Sequence, residues 1–322
     1  MLLNLFKEKR CFKLVCGAGN EDAAEVEKLV TLYSKAGCKF FDICAKPEIV
    51  DAAKRGLERA GIKEERYLCC SVGIKGDPHI NKAVIKTEKC IMCEKCTSVC
   101  MQKAIIKTAA SYEVNKIRCI GCGKCAKVCH NQAIDMISEY KDLNEVLPPI
   151  IQKGIDCIEL HAIVEDETEV DEKWDILNDI YDGMLSVCID RLLIGSEKML
   201  NRVKRLLLKR KPYTTIIQAD GAPMSGGKND FKTTLQTVAT AEIFQNAKLP
   251  AYLMLSGGTN SKSTELAKLC GIDIDGIAIG SFARKIVRDY IERDDFLENT
   301  DIFNKALTFA KELVDVSLKY MG

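Results

Sequence analysis

The stretch "AYLMLSGGTNSKSTELAKLCGIDIDGIAIGSFARK", residues 251–285, contains the same pattern twice. A short, nearly continuous apolar run comes first, a glycine-containing loop follows it, and an amphipathic segment comes next. Apolar runs of this length are typical of parallel strands that are buried on both faces. The stretch therefore predicts two consecutive strand–loop–helix units.

Six similar apolar runs precede this stretch, which brings the total to eight. They are "FKLVCGAG" (12–19), "KFFDICA" (39–45), "YLCCSVGI" (67–74), "DCIELHAI" (156–163), "MLSVCID" (184–190) and "TTIIQADG" (214–221). A predicted helix follows each run. The first of these helices has Asn20 as its predicted N-cap and stops at Gly37, and the second has Pro47 in its first turn and ends at Gly61.

Eight strand-then-helix units indicate an α/β protein with a (β/α)8 TIM-like barrel. A doubly wound open sheet is the alternative fold. The count of eight and the two glycine loops near the carboxyl end of the chain favour the barrel.

A cysteine repeat lies between the third run and the third helix. "CIMCEKCTSVC" (90–100) and "CIGCGKCAKVC" (119–129) both have the spacing C-x2-C-x2-C-x3-C. Thiolates are soft ligands that suit iron–sulfur clusters, and the fourth cysteine of such a run ligates the other cluster. The spacing thus predicts two 4Fe–4S clusters in a ferredoxin-like module. One is held by Cys90, Cys93, Cys96 and Cys129, and the other by Cys119, Cys122, Cys125 and Cys100.

Some features of the repeat leave alternatives open. Structural zinc is the competing interpretation of C-x2-C pairs, and one cluster could have three irons. The proline that usually follows each fourth cysteine is replaced by Met101 and His130. His130 either donates a hydrogen bond to a cluster sulfur or is a solvated or capping residue. Gly121 and Gly123 are expected to let the backbone approach the cluster.

The position of the repeat predicts where the clusters lie. Loops that follow strands lie on the carboxyl-terminal face of a TIM-like barrel, where active sites are built. We therefore expect a barrel over residues 1–77 and 141–322, with the two-cluster module inserted over residues 78–140 beside the barrel mouth.

The loops after the seventh and eighth runs, "SGGTNSKS" and "GSFARK", predict a phosphate site at that mouth. A flavin or another small phosphorylated ligand would bind there, unless the glycines only make tight turns. The candidate residues are Ser256, Gly257, Gly258, Gly280, Ser281 and Arg284.

Polar residues at other strand ends predict a polar rim, which the glycine-rich segment "QADGAPMSGGKND" (218–230) extends. No catalytic residue can be assigned from them. They are Asp42, Lys46, Glu159, His161, Asp190, Arg191, Gln218 and Asp220.

Composition narrows the class of protein. The chain has 47 basic and 46 acidic residues, so it offers no single-sign field for nucleic acid or an anionic membrane. No apolar run reaches the length of a membrane span, and "MLLNLFKEKRC" does not resemble a secretory signal. Seventeen cysteines in such a chain are expected in a reducing cytoplasm. Most of the nine outside the repeat are expected to be small buried residues: Cys11, Cys16, Cys38, Cys44, Cys69, Cys70, Cys157, Cys188 and Cys270.

Several segments together resemble the light-dependent period protein family of cyanobacteria. They include "FKLVCGAGNED", "DICAKPEIVDAA", "DPHINKA", "IRCIGCGKC", "GIDCIELHA", "DGAPMSGG", "LPAYLMLSGGTNSKS" and "GIAIGSFARKIV", over residues 12–290. The resemblance implies an iron–sulfur protein that serves as a redox-sensing input to a circadian clock, with clusters on the eight repeat cysteines. It supplies no catalytic residue.

Two functions follow as hypotheses. The first is a redox sensor or electron-transfer regulator that acts on a protein partner. The second is an oxidoreductase in which the clusters deliver electrons to a flavin or other phosphate-bearing ligand at the mouth. A weaker third hypothesis makes the clusters structural staples only.

Overall fold

A computed structural model describes residues 1–77, 80–221 and 230–321. Eight parallel strands close into a barrel in chain order, with the last strand paired to the first. All eight predicted runs are strands, and the TIM-like barrel is confirmed. The strands are β1 (Cys11–Val15), β2 (Phe40–Cys44), β3 (Tyr67–Gly73), β8 (Cys157–His161), β9 (Met184–Asp190), β10 (Thr215–Asp220), β11 (Tyr252–Ser256) and β12 (Gly276–Ile279).

Helices follow the strands around the barrel. They are α2 (Ala23–Lys35), α3 (Pro47–Ala60), α6 (Leu143–Gln152), α7 (Glu167–Ile180), α8 (Ser196–Leu207), α9 (Asp230–Ala247), α10 (Ser263–Leu269), α11 (Ser281–Ile291) and α12 (Thr300–Lys319). Among the described residues, no helix is both long and apolar enough to cross a membrane.

The N-cap predicted for the first of these helices was wrong. Asp22, and not Asn20, precedes α2 with an extended backbone and accepts a hydrogen bond from the Glu25 amide at 3.0 Å. Asn20 lies two residues earlier, where its Oδ1 accepts the Asp22 amide at 3.1 Å. Asn20 therefore orders the loop that leads to the cap and does not cap the helix.

A short first helix, α1 (Leu2–Lys7), covers the amino-terminal end of the barrel. Phe6 is fully buried, stacks on Tyr252 at 4.9 Å between ring centroids and meets Phe40 edge-on at 6.2 Å. Tyr252 and Phe40 are the first residues of their strands, so α1 packs against the end opposite the mouth. Its apolar residues are core residues.

The insertion leaves the barrel after β3 and returns at α6. It contains two antiparallel pairs, β4 (Asn81–Ile85) with β7 (Ile134–Ser138) and β5 (Ile105–Lys107) with β6 (Tyr112–Val114). Two short helices, α4 (Lys95–Val99) and α5 (Lys124–Val128), carry the middle of each cysteine run. Because Asn81 pairs with Ser138, the two ends of the insertion lie side by side and fit into one strand-to-helix loop.

Candidate iron–sulfur and barrel-mouth sites

The insertion contains two cavities, and each is lined by four of the eight repeat cysteines. Three cysteines of a run share a cavity with the fourth cysteine of the other run. The first cavity is lined by Cys90, Cys93, Cys96 and Cys129, and the second by Cys119, Cys122, Cys125 and Cys100. All eight are free thiols, so each cavity offers a set of four soft donors that fits an iron–sulfur cluster.

The Ala-Ile pair that follows each run orients the fourth cysteine. The Ala104 amide donates to Cys100 Sγ and the Ala133 amide donates to Cys129 Sγ, both at 3.3 Å. Both alanines are buried, at 2% exposure. The Ala83 amide lies 3.5 Å from Cys119 Sγ in a third such contact. Hydrogen bonds to ligand sulfurs are one determinant of cluster potential.

Left-handed backbone recurs at matching positions of the two runs. Gly121 and Gly123 have φ of +70° and +68°, and Met92 and Glu94 in the first run have +53° and +63°. A Cβ at Gly123 would meet no protein atom within 4 Å. The positive φ is therefore a sufficient reason for glycine at position 123. The first run makes the same turn with Met92 and Glu94, for which a left-handed backbone costs more conformational energy than for glycine.

His130 lies at the rim of the first cavity and is exposed. Its Nδ1 is 2.9 Å from the Val128 carbonyl and its Nε2 is 3.5 Å from Lys95 Nζ. These contacts with the chain's own backbone and a lysine agree with the capping interpretation of this histidine. Met101, which replaces the other expected proline, is half exposed at 49%.

Lys82 on β4 joins the insertion to the barrel. It is 2% exposed, and its Nζ donates to the Gly19 carbonyl at 2.8 Å and the Cys119 carbonyl at 2.7 Å. The same ammonium lies 3.1 Å from Glu21 Oε1. The Glu21 amide in turn donates to the Ile117 carbonyl at 2.9 Å. The loop after β1 and the start of the second cysteine run are thus held by one buried cation.

A second group of contacts holds the insertion from the side of α11. Arg288 Nη2 donates to Gln102 Oε1 at 3.1 Å, and Lys103 pairs with Glu292 at 2.5 Å. Arg118 Nη2 is also 3.5 Å from Glu292 Oε1. The second cysteine set is therefore fixed against the barrel from two directions.

Replacing Lys82 by Met is expected to lower the free energy of unfolding by about 3 kcal/mol, because two hydrogen bonds from a charged group are lost, one to a buried and one to a partly buried carbonyl. Thermal unfolding measures the loss, and limited proteolysis shows whether the insertion is released first. Lys86→Met is the matched control, since Lys86 pairs with Asp135 in a partly exposed position and should cost less than about 1 kcal/mol. Equal losses would contradict the joining role of Lys82.

A cavity of about 290 Å³ lies at the carboxyl ends of the barrel strands. Ile120, the residue after Cys119, forms part of its wall, so the second cysteine set borders this cavity. All six residues predicted for the phosphate site line it together: Ser256, Gly257, Gly258, Gly280, Ser281 and Arg284.

Arg284 is a buried cation with unused donors. Its side chain lines the cavity at 4% exposure, and among the described residues its Nε and Nη1 have no hydrogen-bond partner. Burial lowers the pKa of Arg284, and the charge of Glu25 acts in the opposite direction. An anion in the cavity would supply the partner that this guanidinium lacks.

Glycine is required or favoured near Arg284 for reasons of backbone geometry. Gly257 has φ of +52°, and a Cβ there would lie 2.2 Å from Asp220 Oδ1. Gly280 is the N-cap of α11 and offers no capping side chain. The first amides of α11 therefore face the cavity region with the positive end of the helix dipole.

The polar rim predicted from the strand ends is only partly assembled in this cavity. Lys46 lines a neighbouring cavity of about 400 Å³, Arg191 donates to Gln236, and Gln218 is buried against Glu159 and Ser186. The other five rim residues line the 290 Å³ cavity: Asp42, Glu159, His161, Asp190 and Asp220.

Lys13 on β1 was missed by the sequence analysis. It is 1% exposed, forms an ion pair with Glu159 and lies 3.8 Å from Asp42 Oδ1. Burial raises the pKa of Asp42 to about 6 although Lys13 opposes it, whereas for Glu159 the charges of Lys13 and His161 outweigh burial and lower the pKa. A lysine in the middle of an apolar run was the available signal.

The remaining predictions concern the cysteines outside the repeat and two of the quoted segments. Eight of the nine cysteines outside the repeat are buried, and Cys270 is exposed. Most of the segment "DGAPMSGG", from residue 222 onward, lies outside the described residues, as do Pro78 and His79 of "DPHINKA".

The fold and the site define a class of protein: a (β/α)8 barrel with a cysteine-rich iron–sulfur insertion at its mouth. The pattern of the 4Fe-4S binding domain family matches residues 112–135, which include the second cysteine run. The chain is an iron–sulfur protein on this evidence.

The pattern of the family described as "Light dependent period A C-terminal domain" matches residues 149–316, and the chain belongs to this family. The resemblance found in the sequence is confirmed. The chain is also 28% identical over 293 residues to Light dependent period A of Synechococcus elongatus, which covers 87% of this chain and 82% of that relative.

The barrel fold is shared by a solved structure. A putative fructose-1,6-biphosphate aldolase from Coccidioides immitis superposes with a TM-score of 0.52 at 8% identity, covering 100% of this chain and 96% of the other. The YdjI aldolase from Escherichia coli K12 gives 0.49 at 7% identity, with coverage of 100% and 97%. At 8% identity the likeness to the Coccidioides protein concerns the fold alone.

Proposed function

We propose that this protein is a two-cluster iron–sulfur redox sensor or electron-transfer regulator that works with a protein partner in the reducing cytoplasm. The observation that carries the proposal is the pair of insertion cavities, each lined by three cysteines of one run and the fourth of the other. The name of the Synechococcus relative, Light dependent period A, supports a sensing role.

The second cysteine set is placed to influence the barrel. Lys82 contacts the Cys119 carbonyl and the Gly19 carbonyl, and Ile120 lines the barrel cavity. This set would hold a cluster whose one-electron reduction would add a negative charge near the buried Lys82 ammonium. Such a charge acts strongly in a weakly polar interior, so the loop after β1 would respond to the redox state.

The first cysteine set is placed to exchange electrons with a partner. Cys93 is exposed, and exposed residues of both charges lie beside it: Glu88, Lys89, Glu94 and Lys95. A partner whose docking face complements this mixed pattern of charge would meet the redox centre faster than an uncharged partner. We expect no role for nucleic acid or a membrane in this exchange.

Arg284 favours a second candidate function, an oxidoreductase. A flavin or another phosphate-bearing ligand would place its phosphate against the unpartnered guanidinium and the amides at the start of α11. A flavin would accept single electrons from the clusters. Arg284, Ser256 and Ser281 would hold such a ligand, and Ile120 would separate it from the second cysteine set.

One anaerobic preparation separates the two candidates. Iron and acid-labile sulfide are measured, and the denatured supernatant is analysed by mass spectrometry for a released ligand. The sensor predicts eight irons per chain in round figures, no released flavin, and reduction-dependent hydrogen exchange in the loop Gly17–Glu21. A released flavin supports the oxidoreductase. Zinc in place of iron would contradict both.

A further inference from the structure

We propose that the barrel mouth holds a zinc ion on Glu159, His161 and Cys188, separate from the iron–sulfur clusters. The three side chains are buried, and one donor atom from each lies within 4.8 Å of the other two. His161 Nε2 and Glu159 Oε1 are 3.3 Å apart. The site does not depend on the proposed function, because no cluster cysteine takes part in it.

The topology of the barrel explains why these donors meet. Glu159 and His161 are two residues apart on β8, so their side chains point to the same side of the strand. His161 is aligned with Cys188 of the neighbouring strand β9. All three line the 290 Å³ cavity. Three protein ligands with a fourth position open to a cavity are typical of catalytic zinc sites.

An outer carboxylate fixes the histidine ring. His161 Nδ1 is 3.2 Å from Oδ2 of Asp77, which is fully buried. Histidines that bind metals almost always donate one ring nitrogen to a carboxylate or carbonyl, which directs the other nitrogen at the metal. The nitrogen directed at Glu159 is Nε2. Asp77 is therefore a positioning residue for the proposed zinc ligand.

The charge in the cavity favours a divalent cation. Asp42, Glu159, Asp190 and Asp220 line it, whereas Arg284 is the one lysine or arginine among its described lining residues. Lys13, beneath the cavity, offsets part of this excess through its ion pair with Glu159. A zinc ion would offset more of it and would stabilise the Cys188 thiolate.

A neighbouring group of possible metal ligands already has a protein cation bound to it. Asp42, Cys69 and Glu159 also lie close together, but the Lys13 ammonium already sits among them, 3.8 Å from Asp42 Oδ1 and 3.7 Å from Cys69 Sγ. The proposed zinc ligands share Glu159 with this group but use its other oxygen: Lys13 pairs with Oε2, whereas Oε1 faces His161 Nε2 at 3.3 Å. Gln218 Oε1, beside Glu159, is buried and lacks a hydrogen-bond partner among the described residues.

The test uses the full chain, purified anaerobically with its clusters and equilibrated with zinc. Elemental analysis is expected to find one zinc beyond the iron in the unmodified protein. Cys188→Ser should weaken zinc binding by roughly tenfold or more, and Asp77→Asn by roughly 10- to 100-fold, with iron unchanged. Cys157→Ser, which removes a buried thiol from the other end of β8, is the matched control and should keep the zinc.

X-ray absorption at the zinc edge distinguishes this site from zinc misplaced in the cluster cavities. The proposed site gives one sulfur and otherwise nitrogen or oxygen neighbours, whereas a cluster cavity gives four sulfurs. Iron content and unfolding temperature verify that each variant is folded. A four-sulfur spectrum, no zinc above background, or full zinc retention in Cys188→Ser would each overturn the proposal.

Discussion

Replacing Cys129 by alanine is expected to remove the cluster of the other cysteine run. Cys129 lines the cavity of Cys90, Cys93 and Cys96, and the Ala133 amide holds its sulfur at 3.3 Å. A cubane that loses one of four thiolate ligands in a partly exposed cavity is expected to be lost or to degrade. Iron content should fall by roughly half, because the second cavity keeps all its cysteines.

Double variants decide between crossed and uncrossed ligation. If ligation is crossed, Cys129→Ala with Cys90→Ala affects a single cluster and leaves the same iron as Cys129→Ala alone. Cys129→Ala with Cys119→Ala then affects both clusters and removes nearly all the iron. Uncrossed ligation exchanges these two results. Iron and sulfide analysis and the electron paramagnetic resonance spectrum of the reduced protein provide the measurements.

Cys270→Ala is the control for the loss of a thiol as such. Cys270 is exposed at the end of α10, far in sequence from the repeat, and its replacement should leave iron content and spectra unchanged. A loss of iron in this variant would show that iron content reports general damage, and the double variants would then have to be compared at matched stability.

The barrel could be predicted because each of its strands is a local signal. A strand buried on both faces, such as β10 with "TIIQAD", requires a nearly continuous apolar run, and the loop and helix after it complete a repeating unit. The cysteine spacing is local as well. Which four cysteines line each cavity could be predicted from the general way in which such runs fold around two clusters.

Features that depend on contacts between distant segments could not be predicted. Lys13 interrupts an apolar run, and its burial is explained by its ion pair with Glu159, which lies 146 residues later. Lys82 acts through carbonyls on both the barrel and the insertion. The sequence also did not indicate that Phe6 of α1 is a core residue, because its partners Phe40 and Tyr252 lie in distant strands.

The predicted phosphate site shows the same division between local and distant information. The glycine loops after β11 and β12 were the basis of the prediction, and the structure brings all six predicted residues to one cavity. The sequence contained no sign that Arg284 would be buried without hydrogen-bond partners for Nε and Nη1. That property separates a candidate anion-binding residue from an ordinary surface arginine.

Replacing Arg284 by Met is expected to weaken anion binding at the mouth strongly without destabilising the free protein. A charge-assisted hydrogen bond contributes about 1.5–3 kcal/mol, so affinity for phosphate should fall roughly 10- to 150-fold. The ligand-free variant should be as stable as the unmodified protein or more so, since a buried charge without a good partner opposes folding. A buried charge that lowers the stability of the ligand-free protein is typical of a binding site.

Thermal unfolding with and without inorganic phosphate, and then with flavin mononucleotide, measures both effects in one series. A ligand that binds only the folded protein raises its unfolding temperature, so this rise should disappear in Arg284→Met. Lys285→Gln removes the same charge from the next residue of α11, where the side chain is exposed, and should keep the rise. If Arg284→Met keeps it too, or unfolds much more easily without ligand, Arg284 is a structural residue, and the oxidoreductase hypothesis loses the observation that favours it.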